Sequence, residues 1–408
     1  MKKVCFETFG CRLNRAEALQ QEADYLADGW TRTESHSDAD LIIVRGCSVT
    51  ARAQRDCEKL IEHIKAKYPL KRVLVTGCLD KGSTGSKGSS GSTRENPKTQ
   101  TPKHANTASP VPVRTARAYL KVQDGCNGSC TFCIVPKFRG KSASVDFDAV
   151  LDKARAFIAS GYQELVVTGC NLSLYHSQGH DLADLVAALA ELQVSSGQQP
   201  ADSEFRIRLG SLEPSPVALK VLDVMAAHEN VCRFLHIPIQ SGSSPLLAAM
   251  KRPYDIRKVD ALVRRADELM PGIAISCDLM AGFPGETELD QTATVGLLSR
   301  LPVCKVHVFP YSERPGTVAA ALPGAVPKEI RHARACSLVE ISNRLRTRYA
   351  KRFLGKVVEM VVEDEENGCG WTSEYLWCVC GGGPFRRKSK VKVHVSAVRD
   401  HMLIGEPA

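Results

Sequence analysis

The stretch Cys126-Asn127-Gly128-Ser129-Cys130-Thr131-Phe132-Cys133 decides how the rest of the chain is read. Its three thiols share one short loop, and Ile134-Val135-Pro136 follows at once. Soft thiolates this close together suit an iron–sulfur cluster. A four-iron cluster takes four ligands, so three thiols leave one iron open to a ligand that is not protein. Gly125 and Gly128 let the backbone wrap closely around an inorganic core. A zinc knuckle would want a fourth Cys or His close by, and none follows nearby.

Outward from this loop the chain alternates strand and helix. Ala118–Val122 reads as a strand running straight into the thiols. Phe147–Ala159 reads as a helix, Glu164–Thr168 a strand, Leu182–Leu192 a helix and Phe205–Leu209 a strand. Val217–His228, Cys232–Ile237, Pro245–Met250 with Ile256–Met270, Ile273–Leu279, Glu286–Arg300 and Lys305–Phe309 continue the pattern. Six such turns predict an α/β fold, a partial (β/α)6 barrel whose site lies at the carboxyl-terminal mouth of its strands. Polar and glycine residues recur at those ends: Gly169 and Asn171, Ser211 with Glu213, Gln240, and Asp278 with Gly282, Gly285 and Glu286. Singly each is an ordinary turn or cap residue. Together they read as the lining of a cofactor site.

Upstream, residues 1–80 read as a small three-layer domain around a parallel sheet. Its strands are Lys3–Thr8, Leu41–Val44 and Arg72–Thr76, with helices over Ala16–Ala27 and Val49–Tyr68. Each strand runs into a Gly-Cys pair: Gly10-Cys11, Gly46-Cys47 and Gly77-Cys78. Ligands gather at the carboxyl ends of parallel strands, so Cys11, Cys47 and Cys78 are expected to converge. Cys5 and Cys57 lack the pattern and read as core.

Residues 81–114 are rich in Gly and Ser and have the composition of a flexible linker, one that resembles a designed splice. The central unit then runs over 115–353 and closes with a helix, Lys328–Phe353, packed through Leu338, Ile341, Leu345, Tyr349 and Phe353. Between Lys328 and Lys356 lie nine Lys or Arg and two Glu, a face that is either simply solvated or tracks phosphates. Residues 354–408 alternate in short runs, Val357–Val362, Tyr375–Val379 and Lys390–Val395, and predict a small antiparallel barrel. Arg386, Arg387, Lys388, Lys390 and Lys392 form a second basic cluster there.

The 408 residues are 43% hydrophobic and carry a net charge of +9, enough for several packed domains. The opening residues give no signal peptide and no window suits a membrane helix. Sixteen cysteines without secretion favour metal binding in a reducing compartment, so a cytoplasmic, membrane-free location is expected.

These stretches resemble the methylthiotransferase family of radical S-adenosylmethionine (SAM) enzymes over nearly the whole chain. Thr8-Phe9-Gly10-Cys11-Arg12-Leu13-Asn14-Arg15-Ala16-Glu17 is similar to the family's first auxiliary-cluster motif, and the surroundings of Cys47 and Cys78 to the second and third. Leu235-His236-Ile237-Pro238-Ile239-Gln240-Ser241-Gly242 and His307-Val308-Phe309-Pro310-Tyr311-Ser312-Glu313-Arg314-Pro315-Gly316-Thr317 look like the branch acting on threonylcarbamoyladenosine in tRNA.

The resemblance implies two 4Fe-4S clusters, one on Cys126, Cys130 and Cys133, the other on Cys11, Cys47 and Cys78. It implies SAM as a cofactor, bound near Phe132, Gly169, Asn171, Ser211, Glu213, Gln240 and Asp278, one molecule giving a methyl group and one a radical. It implies a TRAM-like RNA-binding barrel at the C-terminus, with the tRNA anticodon loop as partner and an electron donor such as flavodoxin or ferredoxin. The expected product is the 2-methylthio derivative of threonylcarbamoyladenosine next to the anticodon. The carboxylate of that substrate calls for a cation, for which Arg314 is the candidate. Arg386, Arg387 and Lys388 are candidates for holding the RNA. Isopentenyladenosine in tRNA and an aspartate of a ribosomal protein stand as alternative substrates. A non-catalytic tRNA-binding protein with structural clusters is the distant rival. Three departures from the family stand out: after Cys78 the Gly/Ser tract follows where the family continues its N-terminal domain, Cys170 reads as packing, and Cys369, Cys378 and Cys380 are unassigned.

Overall fold

The computed structural model describes residues 1–79, 115–192 and 205–408. The linker expected at 81–114 lies outside the described residues, as does Asp80. The chain divides into two units, Met1–Pro112 and Val113–Ala408.

In the first unit a fully parallel sheet has the order Thr31–Arg32, Lys3–Thr8, Leu41–Gly46, Arg72–Gly77. Strand residues alternate between faces, and here both faces are covered, so Leu41, Ile42, Ile43 and Val44 are all buried. Val4, Phe6, Leu41 and Ile43 pack with Tyr25 of the helix Arg12–Ala27 and with Trp30. Cys5, Ile42 and Val44 pack on the other face against Leu60, Ile61 and Ile64 of the helix Ala51–Lys67. Helix, sheet and helix make the three expected layers. The two-residue strand Thr31–Arg32 is additional to the expected three and carries no apolar alternation that would mark it in the sequence.

The second unit begins with strands Arg117–Lys121, Glu164–Thr168 and Arg206–Leu209 side by side in parallel. Phe234–Gln240, Ala274–Ala281 and Val303–Pro310 form a second parallel set. Single bridges Ile207–Val231 and Ser211–His236 join the two, giving an open half-barrel in sequence order. The connecting helices start where a side chain caps them: Asp146, Asp181, Ser215, Ser243, Asp255 and Thr287 each accept from a backbone N–H of the first turn. Each such cap is worth about 1 kcal/mol, so the loops hand their polar residues to the helices as well as to the mouth.

The long helix Lys328–Ala350 continues as a 3-10 turn to Phe353. Its packed face holds Arg331, Arg334, Leu338, Ser342, Leu345 and Tyr349, with Ile341 and Phe353 only half-buried. Arg331 pairs with Glu313 at 2.6 Å, and Arg334 with Glu286 at 3.1 Å and Glu288 at 2.5 Å. Two of the helix's cations therefore face inward and cannot track phosphates.

Val357–Asp364, Cys369–Thr372, Trp377–Cys380, Met402–Pro407 and Lys390–Arg399 close into a five-stranded barrel in that order. One feature differs from the expected all-antiparallel barrel: Trp377–Cys380 and Met402–Pro407 run parallel. Sequence patterning missed the strands around Gly370 and Gly405, since glycine interrupts their alternation. A Cβ on either would lie 2.1 Å from a neighbouring carbonyl oxygen, that of Val361 or His394. Cys378 and Cys380 are buried in this barrel's apolar core, and Cys369 is buried on the paired strand, its Sγ donating to the Asn367 carbonyl.

The small barrel sits under the base of the half-barrel. Phe234, Ala274 and Cys304 share one apolar cluster with Val358, Met360, Cys378 and Val393. Among the described residues, no helix is long and apolar enough to cross a membrane.

Candidate active site

The thiol loop leaves the first strand of the half-barrel and is fastened on several sides. Gln123 donates from Nε2 to the Gly125 carbonyl at 2.7 Å and to Ser142 Oγ at 2.9 Å. Gly125 has φ +66°, and a Cβ there would meet the Lys141 carbonyl oxygen at 2.1 Å, so only glycine starts this loop. The Cys126 amide donates to the Gly140 carbonyl, and Thr131 donates through N and Oγ1 to the carbonyls of Met250 and Ala249. Cys126, Cys130, Phe132 and Cys133 are all half-buried. The Gly128 amide donates to Cys126 Sγ at 3.2 Å. Burial pushes the Cys130 thiol up, opposed by the charge of Arg252, and pushes Cys133 up to about 11. Three soft donors in a half-buried loop that already directs N–H groups at sulfur fit a cluster.

Four residues from separate strand ends and loops continue from the loop in one hydrogen-bonded belt. Gln123 Oε1 accepts from the Asn171 amide at 2.9 Å, and Asn171 Nδ2 donates to Glu213 at 3.1 Å. Glu213 in turn accepts from Arg252 Nη2 at 2.5 Å, and Arg252 Nη1 donates to Cys130 Sγ at 3.0 Å. The belt leaves the loop beside Gly125 and returns to it at Cys130. Gly169 serves this arrangement too, since a Cβ there would lie 2.8 Å from Gln123 Oε1.

The other expected lining residues are placed differently. Ser211 is exposed at the bridge to His236, and Gln240 is half-buried with φ +73°. Asp278 lies between two histidines, 3.1 Å from His236 Nε2 and 3.3 Å from His307 Nδ1. Burial alone would raise its carboxyl; the hydrogen bonds and charges of the two imidazoles outweigh that and hold it well below the usual carboxylate range. Ser276 Oγ sits 2.6 Å from His236 Nδ1 and fixes that ring. Glu286 is engaged within the fold by the Gly282 amide and Arg334. Sequence reading missed Gln123, Arg252, His236 and His307. His236 and His307 lay in quoted motifs, His236 four residues before Gln240 and His307 in register with Asp278, but Arg252 carried no local signal. Cys170, expected to pack, is half-buried and donates to Asp124 Oδ1 at 3.4 Å; burial and that charge push its thiol up.

In the first unit the three Gly-Cys pairs lie on adjacent strand ends. The Phe9 amide donates to the Arg45 carbonyl, and the Cys78 amide to the Gly46 carbonyl. Asn14 Nδ2 ties the carbonyls of Phe9 and Gly46 together at 2.8 and 3.0 Å. Gly10 has φ +101°, and a Cβ would fall 2.8 Å from Cys47 Cβ, so the glycine lets the first pair approach the second. Burial pushes Cys47 up to about 11, with Cys11, Cys78 and Cys57 adding to the rise. Three thiols gathered at adjacent parallel strand ends suit a shared cationic core. Cys57 is fully buried, and its Sγ accepts from the Cys47 amide at 3.5 Å.

The basic candidates separate. Arg314 is 6% exposed despite lying in a loop, and its carbonyl accepts from Thr317 N and Oγ1. Arg386 and Arg387 are exposed. Lys388 does not join them as an RNA-facing cation: it is buried, with φ +71° turning its side chain inward. Its Nζ donates to the Ser160 carbonyl at 2.8 Å and lies 3.6 Å from the Tyr162 ring centre.

With this geometry in place, the comparisons with known proteins are specific. The model of the Radical SAM superfamily matches residues 120–298, and that of "Uncharacterized protein family UPF0004" matches residues 3–87. A tRNA-2-methylthio-N(6)-dimethylallyladenosine synthase of Chlorobium limicola is 30% identical, over 100% of this chain and 98% of its own. A threonylcarbamoyladenosine tRNA methylthiotransferase MtaB of Bacillus subtilis is 30% identical over 94% of this chain and 91% of its own. The MtaB of Thermotoga maritima is 29% identical over 89% and 87%. An open parallel half-barrel with a three-thiol loop after its first strand is thus a radical SAM enzyme. The chain belongs to the tRNA methylthiotransferases of that superfamily. A 4Fe-4S cluster, SAM and a tRNA substrate come with that membership.

Proposed function

We propose that this enzyme converts N6-threonylcarbamoyladenosine, next to the tRNA anticodon, to its 2-methylthio derivative. The observation that carries the choice of substrate is Arg314, a cation buried in the segment that leaves the last barrel strand. A threonylcarbamoyl group bears a carboxylate, which a guanidinium can bind through two donors. An isopentenyl group would want an apolar wall instead. The stretches around Cys11, Gln240 and Arg314 resemble the same branch. The second reading, isopentenyladenosine, is favoured by the Chlorobium relative, which is named for dimethylallyladenosine and is 30% identical.

Clusters on Cys126, Cys130 and Cys133 and on Cys11, Cys47 and Cys78 would supply the electron that cleaves one SAM and the sulfur that is methylated by another. The chain's own residues orient and shield. Gln123, Asn171, Glu213 and Arg252 fix the geometry of the mouth beside the thiol loop. Phe132, Gly169, Ser211, Gln240 and Asp278 complete the surface assigned to SAM. Arg386 and Arg387 on the C-terminal barrel would hold tRNA phosphates, and a target base in a single-stranded loop is the easier one to present. A flavodoxin- or ferredoxin-type protein would deliver electrons. The residues 1–80, 115–353 and 354–408 act in this reading as cluster, radical and RNA-binding domains.

The test is nucleoside mass spectrometry after incubating reconstituted enzyme with tRNAs bearing either modification. The expected product is the methylthiolated threonylcarbamoyl nucleoside. Methylthiolation of the isopentenyl substrate alone would overturn the choice.

A further inference from the structure

The Arg252 guanidinium is divided between a cluster-ligand sulfur and a carboxylate. One arm donates to Cys130 Sγ at 3.0 Å, the other to Glu213 Oε1 at 2.5 Å and the Pro238 carbonyl at 3.3 Å, while Nε donates to Tyr254 Oη at 2.9 Å. Tyr254 Oη itself donates to the Pro238 carbonyl at 2.5 Å. The side chain is only 5% exposed, so its charge is not diluted by solvent. It belongs to the loop between the helices Ser244–Ala249 and Ile256–Leu269, and reaches back 122 residues to its sulfur. A guanidinium serving only as the counter-ion of Glu213 would spend both arms of its planar fork on the carboxylate. Here the fork is split.

We propose that Arg252 is a positioning residue that sets the reduction potential of the cluster held by Cys126, Cys130 and Cys133, with Glu213 as the opposing charge. The inference rests on the reading that these three cysteines hold the cluster. A cation donating a hydrogen bond to a ligand sulfur favours the reduced, more negative state and raises the potential. The carboxylate of Glu213 competes for the same guanidinium and offsets part of that effect. Because Glu213 also accepts from Asn171, a change at the strand ends assigned to SAM reaches Cys130 through a single side chain. Among the described residues, the donor to Cys126 Sγ is the Gly128 backbone amide, at 3.2 Å.

The experiment is an EPR-monitored redox titration, without SAM, of the 408-residue chain carrying Cys11→Ala, Cys47→Ala and Cys78→Ala, so that one cluster titrates; the unsubstituted chain is titrated alongside. Iron content and thermal unfolding are recorded for every variant. Arg252→Gln should shift the midpoint to more negative potential, Arg252→Lys should fall between the two, and Glu213→Gln should shift it to more positive potential. This split of sign is what a merely structural ion pair would not give. If Arg252→Gln destabilises the fold, Arg252→Lys and Glu213→Gln still decide the matter. Unchanged midpoints at full iron, or shifts of the same sign for Arg252→Gln and Glu213→Gln, overturn the proposal. The underlying ligand reading fails separately, if Cys130→Ala keeps the cluster and its spectrum unaltered.

Discussion

Arg208 donates from Nη2 to the carbonyl of Thr372 at 2.8 Å, and so a half-barrel strand grips a turn of the C-terminal barrel 164 residues downstream. Its Nη1 reaches the Ser373 carbonyl at 2.9 Å, and Arg206 donates to the Trp371 carbonyl at 2.5 Å. Both arginines also bind Glu164, which is wholly buried. Burial would raise that carboxyl, but the surrounding guanidinium groups hold it well below its ordinary range. Charges so far from water stay together because parting any one leaves the others uncompensated.

Arg208→Met should therefore cost on the order of 3–5 kcal/mol, the penalty for breaking a buried charge cluster from one side. Chemical denaturation followed by the fluorescence of Trp371 and Trp377 reads it out. A loss near zero would mean that Arg206 and Arg117 compensate Glu164 without it.

Asp124 makes stability depend on acid. Burial pulls its carboxyl up, yet Lys121 at 2.7 Å and Arg139 at 3.0 Å prevail and lower it to about 2, against an ordinary 3.8. A lowered folded-state value contributes stability that is complete above the unfolded value and disappears as pH falls toward the folded one. The stability gap between the native chain and Asp124→Asn should thus be full at pH 5 and above, and close between about pH 4 and pH 2. Urea titrations across that range check it; a gap independent of pH would refute it.

Iron content tests the two thiol sets. Anaerobic reconstitution should give about eight irons per chain, two four-iron clusters. Replacing Cys126, Cys130 and Cys133 with alanine should leave about four, and so should replacing Cys11, Cys47 and Cys78. A triple variant that retains the full complement would exclude its cysteines as ligands.

The basic residues of the C-terminal barrel should behave in two ways. Arg386→Ala with Arg387→Ala should weaken tRNA binding and flatten its salt dependence, with a slope smaller by roughly one unit per lost phosphate contact. Lys388→Met should instead lower thermal stability and leave the salt slope in place, because its ammonium is spent on Ser160 and Tyr162. Filter-binding titrations at several salt concentrations separate the two; equal slopes for all variants would remove the arginines from the interface.

The sequence alone determined the parallel sheets, the order of strand and helix, and the two sets of three cysteines. Those features are local or repeat with a short period: Leu41–Val44 is apolar throughout because both faces of its sheet are covered, and Asp146, Ser215 and Thr287 mark helix starts through bonds spanning three residues. Gly10 before Cys11 was legible for the same reason, since only a glycine there lets a strand end approach Cys47. Tertiary structure decided the rest. No periodicity connects Gln123 to Asn171, Glu213 to Arg252, or Arg252 to Cys130, and these contacts exist only because a barrel brings distant strand ends to one mouth. The same holds for cations. Lys388 beside Arg387, and Arg334 beside the exposed face of its helix, read alike in sequence; a left-handed backbone and a facing pair of glutamates turned them inward. The position of a charge relative to solvent is a property of the packed molecule, set by what lies across from it.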